Sequence, residues 1–449
     1  MTILSLTFLQ KPKSVTFHNK TIMQRITPFL WFDGEAEEAA KFYTTIFQNS
    51  KMGNIFRQGD KALTVAFTLD GQEHTALNGG PMFKINPSIS IFATCETAAE
   101  ADAVWEKMVD GGQVMMPLDK YPWSEKFGWL QDRYGVSWQI LVGHPANAGH
   151  RFSPCLMFTG AQHGRTEEAI NFYTTVFKNS SIGGIARYEA GEGDPAVGTV
   201  KHAEFFLDGN LFMALDSSLA QGFQFNEAFS LLVNCDGQAE VDYFSEKLIA
   251  DGGVEGQCGW LKDKFGVSWQ VIPAELFKLL ADPARAQRAM SAMMLMRKID
   301  IEKLRQAAAD DSKTVITVQT AVNAPINKVW QLWTGAEHIV HWNNASDDWH
   351  MPKATNDLRV GGSFSFTMAA KDGSFSFDFH GTYDQVVENQ RIEYTIEDGR
   401  KVNIHFSEVD GGTFVMENFE AENTHSVEMQ RSGWQAILDN FKNYAENIG

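Results

Sequence analysis

EEAAKFYTTIFQNS, residues 37 to 50, returns almost unchanged as EEAINFYTTVFKNS at residues 167 to 180, with ten of the fourteen positions identical. A second block, GWLQDRYGVSWQI at 128 to 140, returns as GWLKDKFGVSWQV at 259 to 271, with nine of thirteen identical. The two offsets are 130 and 131 residues. Separated blocks that share one offset mark a duplicated unit of about 120 residues, because chance matches do not preserve spacing.

Working outward from the first block, RITPFLWF at 25 to 32 reads as a strand, and the helix after it sets Ala39, Phe42, Tyr43, Ile46 and Phe47 on one face. Three strand-like runs follow, KMGNIFR, ALTVAFTLDG with its Asp-Gly turn, and QEHTALNGG. After Pro87 the order repeats: SISIFATCE is a strand, AAEADAVWEKMVDGG is a helix stopped by its glycine pair, and QVMMPL, GWLQDRYG and VSWQILVG are strands. Each copy therefore reads as two βαβββ modules, and the chain carries four.

From Lys313 the pattern changes. TVITVQTAV alternates as a strand, and NAPINKVWQLWT opens a helix with Pro325 in its first turn. A meander follows in GGSFSFTMAA, SFSFDFHGTYDQVVE, RIEYTIED, KVNIHFSEVD and GTFVMENFE, parted by Asp-Gly or Gly-Gly turns at 372, 398 and 411. The last segment sets Val427, Trp434, Ile437, Leu438, Phe441 and Tyr444 on one helical face.

The bulk numbers agree with several domains. A chain of 449 residues exceeds the size at which one core keeps growing, and 44% hydrophobic residues supply ample core. With 38 basic against 56 acidic residues, the net charge of −18 repels phosphate backbones and anionic lipid surfaces, so neither nucleic acid nor membrane is an expected partner. The four cysteines, Cys95, Cys155, Cys235 and Cys258, form no CxxC pair and read as reduced thiols. The first residues lack a continuous apolar run and a cleavage site, so a cytoplasmic location is expected, with residues 1–23 as an extension and either Met1 or Met23 as the start.

The FDGxAEEAxxFYxxxF opening, the LDGQEHTALNGG hairpin, the helix running to DGG and the GWLxDxxGVSWQ ending resemble the PhnB-like branch of the glyoxalase (vicinal oxygen chelate) superfamily, labelled 3-demethylubiquinone-9 3-methyltransferase-like. The VNAPINKVWQLWT opening, the GGSFSF strand, GTYDQVVENQRIEY and the WQAILDNFKNY helix resemble the START-like (SRPBCC) homologues of the activator of heat-shock-protein-90 ATPase. The expected fold is α+β: an extension at 1–23, glyoxalase-like domains at 24–145 and 151–275, a helical linker at 276–312 and a helix-grip START-like domain at 313–449. The Met-rich stretch with Met290, Met293, Met294 and Met296 suits a helix packing on the glyoxalase-like barrels. A tandem duplication also provides both halves of a two-fold pair, so an intramolecular pseudo-dimer is expected, with a higher oligomer left open.

In metal-dependent members of the first family, the resemblance places ligands near Pro28, Ser90 and Gln139 in copy one and near Pro154, Ser230 and Gln270 in copy two. Proline has no side-chain donor, serine is a poor ligand and an amide oxygen is weak, so no metal is expected. No strand–glycine-rich turn–helix opens a cofactor site, so no cofactor and no methyl transfer are expected either. Gln139 and Gln270, each beside a core tryptophan, are inward polar residues that would touch a ligand. His202 and Glu204 lie two apart on a strand and so share a face, as an acid–base pair or as a solvated strand surface. Cys95 and Cys235 read as small core residues. In the third domain, Trp330, Trp333, Trp342, Phe364, Phe366 and Trp434 are candidates for the lining of a helix-grip cavity. Glu417 and Glu420, an odd number apart, face opposite sides.

The leading functional reading is a protein that binds a small lipophilic or aromatic metabolite, with a metal-free enzymatic activity left open. One alternative is a metal-dependent vicinal oxygen chelate enzyme of the isomerase, dioxygenase or resistance type. Another is a stress-response or chaperone-associated factor acting through the third domain.

Overall fold

A computed structural model describes residues 24–58, 61–143, 150–192, 197–218, 222–310, 314–409 and 411–448, so the expected N-terminal extension lies outside the described residues. The chain divides into two compact units. One holds residues 1–274 with 297–299, and the other holds 275–296 with 300–449.

The first unit contains the four modules read from the sequence. Copy one supplies β1 (Ile26–Phe32), α1 (Ala36–Ile46), β2 (Lys51–Gln58), β3 (Lys61–Leu69) and β4 (Gln72–Asn78), then β5 (Ile89–Cys95), α2 (Ala98–Val109), β6 (Gln113–Tyr121), β7 (Ser124–Gln131) and β8 (Ser137–Val142). Copy two supplies β9 (Phe152–Phe158), α3 (Thr166–Val176), β10 (Ser181–Arg187), β11 (Val200–Leu207) and β12 (Asn210–Asp216), then β13 (Phe229–Cys235), α4 (Gln238–Leu248), β14 (Val254–Glu255), β15 (Trp260–Lys262) and β16 (Ser268–Pro273). The LDG turn is built as its sequence demands: Asp70 and Gly71 take φ of 46° and 79°, and Asp208 and Gly209 take 48° and 81°, as a tight two-residue hairpin requires.

The sheets do not follow the copy boundaries. One runs β14-β15-β16-β13-β1-β4-β3-β2 and the other β10-β11-β12-β9-β5-β8-β7-β6, so the first module of each copy shares its sheet with the second module of the other. The seams are antiparallel, with Phe29 opposite Ser230 in the first sheet and Cys155 opposite Ser90 in the second. The tandem copies thus form an intramolecular pseudo-dimer with exchanged modules. Sequence could not choose this pairing, because corresponding strands of the two copies carry the same apolar pattern and either partner satisfies it.

Two devices, each present twice, hold the exchange. Arg25, before β1, pairs with Glu240 on α4 at 2.5 Å, and the buried Arg151, before β9, pairs with Glu100 on α2. Each arginine therefore ties the first strand of one copy to the second helix of the other. Within each copy, a buried aspartate does the converse. Tyr43 of α1 and Trp138 of β8 both donate to Asp132 Oδ2, at 2.7 and 2.8 Å, while the Tyr134 and Val136 amides donate to Oδ1. Asp263 receives Tyr173, Trp269 and the Phe265 and Val267 amides in the same way. The repeated GWLxDxxGVSWQ block encodes this hub.

In the second unit, β17 (Val315–Val322), β18 (Trp349–Asn356), β19 (Ser363–Ala370), β20 (Ser376–Val387), β21 (Arg391–Ile396), β22 (Lys401–Val409) and β23 (Gly412–Glu420) form an antiparallel sheet ordered β17-β23-β22-β21-β20-β19-β18. Helices α5 (Ala274–Leu280), α6 (Pro283–Met294) and α7 (Ile301–Ala309) precede the sheet, and α8 (Ile326–Thr334), α9 (Ala336–Trp342) and α10 (Val427–Asn447) accompany it. Ser426 caps α10 through the Met429 amide. Alternate residues of the sheet, among them Val318, Ile404 and Phe419, meet Leu438 and Phe441 of α10 in one core, which is a helix-grip arrangement. The Met-rich helix expected against the glyoxalase-like barrels clusters with this unit instead: residues 275–296 belong to it, α6 packs on β17, and Ser291 Oγ lies 3.5 Å from Thr317 Oγ1.

Candidate functional site

Alternation along each strand gives the first unit's sheets one face packed on helices and one concave face. On β9, Cys155 joins Phe92, Phe127, Leu211 and Met213 in an apolar cluster on the concave face of the second sheet. Pro154, next to Cys155, therefore points to the helix side, and so does Pro28 beside Phe29. This corrects the placement inferred from resemblance: the inward residue of the first strand is Cys155 or Phe29, and Pro28 shares its sheet with Ser230 and Gln270 rather than with Ser90 and Gln139.

The polar groups at the base of this face are paired. Gln139 Nε2 donates to Ser90 Oγ at 2.7 Å, and Gln270 Nε2 donates to Ser230 Oγ at 3.0 Å in the first sheet. Both glutamines are buried inward polar residues, as read from the sequence. Burial pushes the Cys155 thiol up to about 12, against hydrogen bonding with Ser90 and Gln139. It stays a neutral thiol at physiological pH and is no nucleophile. Cys95 and Cys235 are buried core residues whose thiols burial also raises.

His202 and Glu204 do share a face. His202 Nε2 lies 3.8 Å from Glu204 Oε1, with the side chains 41% and 50% exposed. Interaction with the nearby His202 ring lowers the Glu204 carboxyl despite partial burial, so it is ionised at neutral pH. The His202 ring also stands 6.4 Å from the Phe92 ring, although β11 and β5 are separated by two intervening strands. Flat strands three positions apart would stand roughly 14 Å from one another. The sheet curls, which brings the pair beside the apolar cluster. Tyr121 and Trp129 flank the same cluster, and the half-exposed Trp123 stacks on Tyr121 at 5.0 Å.

The first sheet places different residues in the same positions. Cys155 is replaced by Phe29, whose ring meets Trp260 edge-on at 5.8 Å; Trp31 meets Trp260 at 6.1 Å and Phe83 at 5.0 Å, and its indole donates to Gly80 O. His202 and Glu204 are replaced by Thr64 and Ala66. Aromatic rings cluster on the first concave face; a buried apolar cluster beside the Ser90–Gln139 pair, with His202 and Glu204 near its edge, marks the second. The signal was present in the sequence, in Phe29 against Cys155, but strand orientation was needed to read it.

The donors on the second face do not fit a resident divalent metal. Ser90 is a poor ligand whose oxygen accepts from Gln139 Nε2, the Gln139 amide oxygen is a weak neutral donor, the Cys155 thiol keeps its proton, and the His202–Glu204 pair supplies two good ligands where three or four are needed. Among the described residues, no group of three or more His, Cys, Asp or Glu side chains converges. His74, by contrast, is buried on the helix side against Phe67, and its ring is pushed down to about 4 by burial.

In the second unit the predicted aromatic residues separate into two groups. Trp330, Trp333 and Trp342 are buried in a cluster with Phe406 and Phe441, with Trp333 4.9 Å from Trp342 and 4.7 Å from Phe441. Phe364 is buried against Phe366, Tyr383 and Tyr394. Phe366 and Trp434 are only partly buried, and Trp434 stacks on Phe419 at 3.9 Å. Of Glu417 and Glu420, which face opposite sides as their spacing implied, the inward one is Glu417. It lies on β23 between Val415 and Phe419, shares their inward face and is 6% exposed, while Glu420 turns the other way to accept from the Lys401 amide. Burial pushes its carboxyl up to about 8, against a lowering contribution from the nearby Tyr394 hydroxyl.

Comparisons with known proteins follow this division. The family described as 3-demethylubiquinone-9 3-methyltransferase matches residues 24–141 and 150–272, and the one described as Activator of Hsp90 ATPase homolog 1-like protein matches residues 323–446. Among solved structures, an AHSA1-like protein from Aeromonas hydrophila is 44% identical over 30% of this chain and 92% of its own, with a TM-score of 0.29. A PhnB protein from Bacillus cereus is 42% identical over 27% of this chain and 100% of its own, with a TM-score of 0.26, and a Cytophaga hutchinsonii protein is 56% identical over 29% and 92%, with a TM-score of 0.28. No curated protein matches the chain. With more than half of its residues matched in two tandem copies, the chain belongs to the 3-demethylubiquinone-9 3-methyltransferase family, in its PhnB-like form, and carries an Activator of Hsp90 ATPase homolog 1-like domain behind them.

Proposed function

We propose that the protein binds a small lipophilic or aromatic molecule on the concave face of the second sheet. The observation that carries this reading is the contrast between two equivalent positions. Phe29 and its aromatic neighbours fill one face, whereas the other carries the smaller Cys155 in an apolar cluster beside the Ser90–Gln139 pair, with His202 and Glu204 near its edge. Such a surface removes apolar area from water on one side of a ligand and orients it through a few polar groups. The ionised Glu204 beside His202 favours ligands carrying a hydroxyl or a weakly basic nitrogen toward the rim.

The test transplants the plug. Cys155→Phe places on the second face the residue that the first face already accommodates. Titrated by calorimetry with 1-naphthol, the wild-type chain is expected to bind, and Cys155→Phe to lose at least tenfold in affinity with its far-ultraviolet dichroism unchanged. His202→Ala, a rim change that leaves the core alone, is expected to weaken binding by a smaller factor. Unchanged affinity in both variants would remove the second face as the site.

A further inference from the structure

We propose that Trp349, Phe375 and Phe377, on the surface at one end of the second unit's sheet, form a site for a small organic cation of the quaternary ammonium type. The backbone brings the three together from separate segments. Trp349 opens β18 opposite Ala370, Phe377 lies near the start of β20 opposite Met368, and the Ala370 amide donates to the Phe375 carbonyl at 2.9 Å. The ring centroids stand 6.2 Å apart for Trp349 and Phe375, 6.0 Å for Trp349 and Phe377, and 6.0 Å for Phe375 and Phe377. Their planes are inclined by 70°, 67° and 43°, so no two of the rings stack flat on each other. A single cation over this triangle can lie within about 6 Å of all three centroids, the range of the cation–π attraction.

These rings are not core. Phe375 is 59% and Phe377 44% exposed, and none of the three is among the residues that pack on the core holding Phe364 and α10. Contiguous aromatic surface of this kind marks a contact site. The charges beside it specify the sign of the contact. Asp348 precedes Trp349, and Asp372 lies in the turn that delivers Phe375; both are exposed. Their fields overlap: the Asp348 carboxyl, held low chiefly by Ser346, is pushed back up by Asp372 and lowered by Lys371. The exposed Asp347 adds a third negative charge against the one positive charge of Lys371. Carboxylates next to aromatic rings attract a cation and repel an anion. A cation whose charge is spread over methyl groups also covers apolar ring surface, which a compact hydrated ammonium does not. This site lies on a different unit from the second sheet, and either can fail alone.

The full chain, labelled with 15N at tryptophan, is titrated with choline and with 3,3-dimethylbutan-1-ol, its neutral counterpart with carbon in place of nitrogen. The Trp349 indole resonance, assigned through Trp349→Phe, is followed. Choline is expected to move it saturably and to bind about fivefold more tightly than the alcohol. Replacing both phenylalanines, Phe375→Leu with Phe377→Leu, keeps apolar surface but removes two rings, and is expected to bring the two probes to equal affinity. Asp348→Asn with Asp372→Asn is expected to weaken choline severalfold and leave the alcohol unchanged. All four positions are exposed, so the fold is not at stake. Equal affinity for the two probes in the wild-type chain, a choline preference that survives the loss of both phenylalanines, or no movement of Trp349 would each overturn the site. Sedimented with phosphatidylcholine vesicles, the chain is expected to stay in the supernatant. Co-sedimentation that the double leucine variant abolishes would assign the cation to a lipid headgroup and overturn the free solute.

Discussion

Asp263→Asn is expected to destabilise the first unit by about 4 kcal/mol, and Asp132→Asn by a similar amount, measured by urea unfolding of the full chain. Each aspartate receives four donors, two on each oxygen. An asparagine offers one acceptor oxygen and turns an NH2 group toward the other two donors, leaving a buried pair unsatisfied at roughly 1–3 kcal/mol each. The loss reaches beyond one loop. Tyr43 and Trp138 belong to different modules of one copy, while the sheets join modules of different copies, so the aspartate is where the two kinds of linkage meet. A loss below about 1 kcal/mol in both variants would mean that the hub is dispensable to the exchanged assembly.

The second large effect is a pH dependence opposite in sign to ordinary acid denaturation. The Glu417 carboxyl is raised from its ordinary 4.5 to about 8, chiefly by burial. Between those values the folded second unit holds a proton that the unfolded chain has released, so its stability falls as pH rises from 4.5 through 8 and levels off above. The full span is on the order of 4–5 kcal/mol. Glu417→Gln, which cannot ionise, is expected to remove the decline, so that at pH 9 the variant unfolds at a higher temperature than wild type while the two differ little at pH 5. Parallel profiles for the two proteins would show that Glu417 ionises at its ordinary pH and is solvated.

How far the sequence foretold these features depends on whether a pattern names a partner. The duplication, the four modules and the helix-grip meander were legible, because periodicity reports which residues face a core. The exchange of modules was not: β1 and β9 carry the same alternation, and nothing in RITPFLWF or RFSPCLMF says which second module lies beside it. That His202 and Glu204 share a face was legible from their spacing, and so was the inward placement of Gln139 and Gln270. The prolines misled, since matching Pro28 and Pro154 to ligand positions set the first strands one residue out of phase with the face occupied by Phe29 and Cys155. Glu417 was hidden for the opposite reason. Its separation from Glu420 said that the two diverge but not which one turns inward; the flanking Val415 and Phe419, two residues away on either side, carried that information.

The central proposal is that the second sheet, and not the first, binds small aromatic molecules on its concave face. The most direct measurement is a 13C-methyl-methionine spectrum of the full chain titrated with 1-naphthol, because Met116 and Met213 lie at that face and the first sheet's aromatic plug contains no methionine. The account predicts that the Met116 and Met213 methyl resonances shift together, saturate at one stoichiometric equivalent and show contacts to the naphthol ring. Saturable binding that leaves both of these methyls unmoved would contradict it.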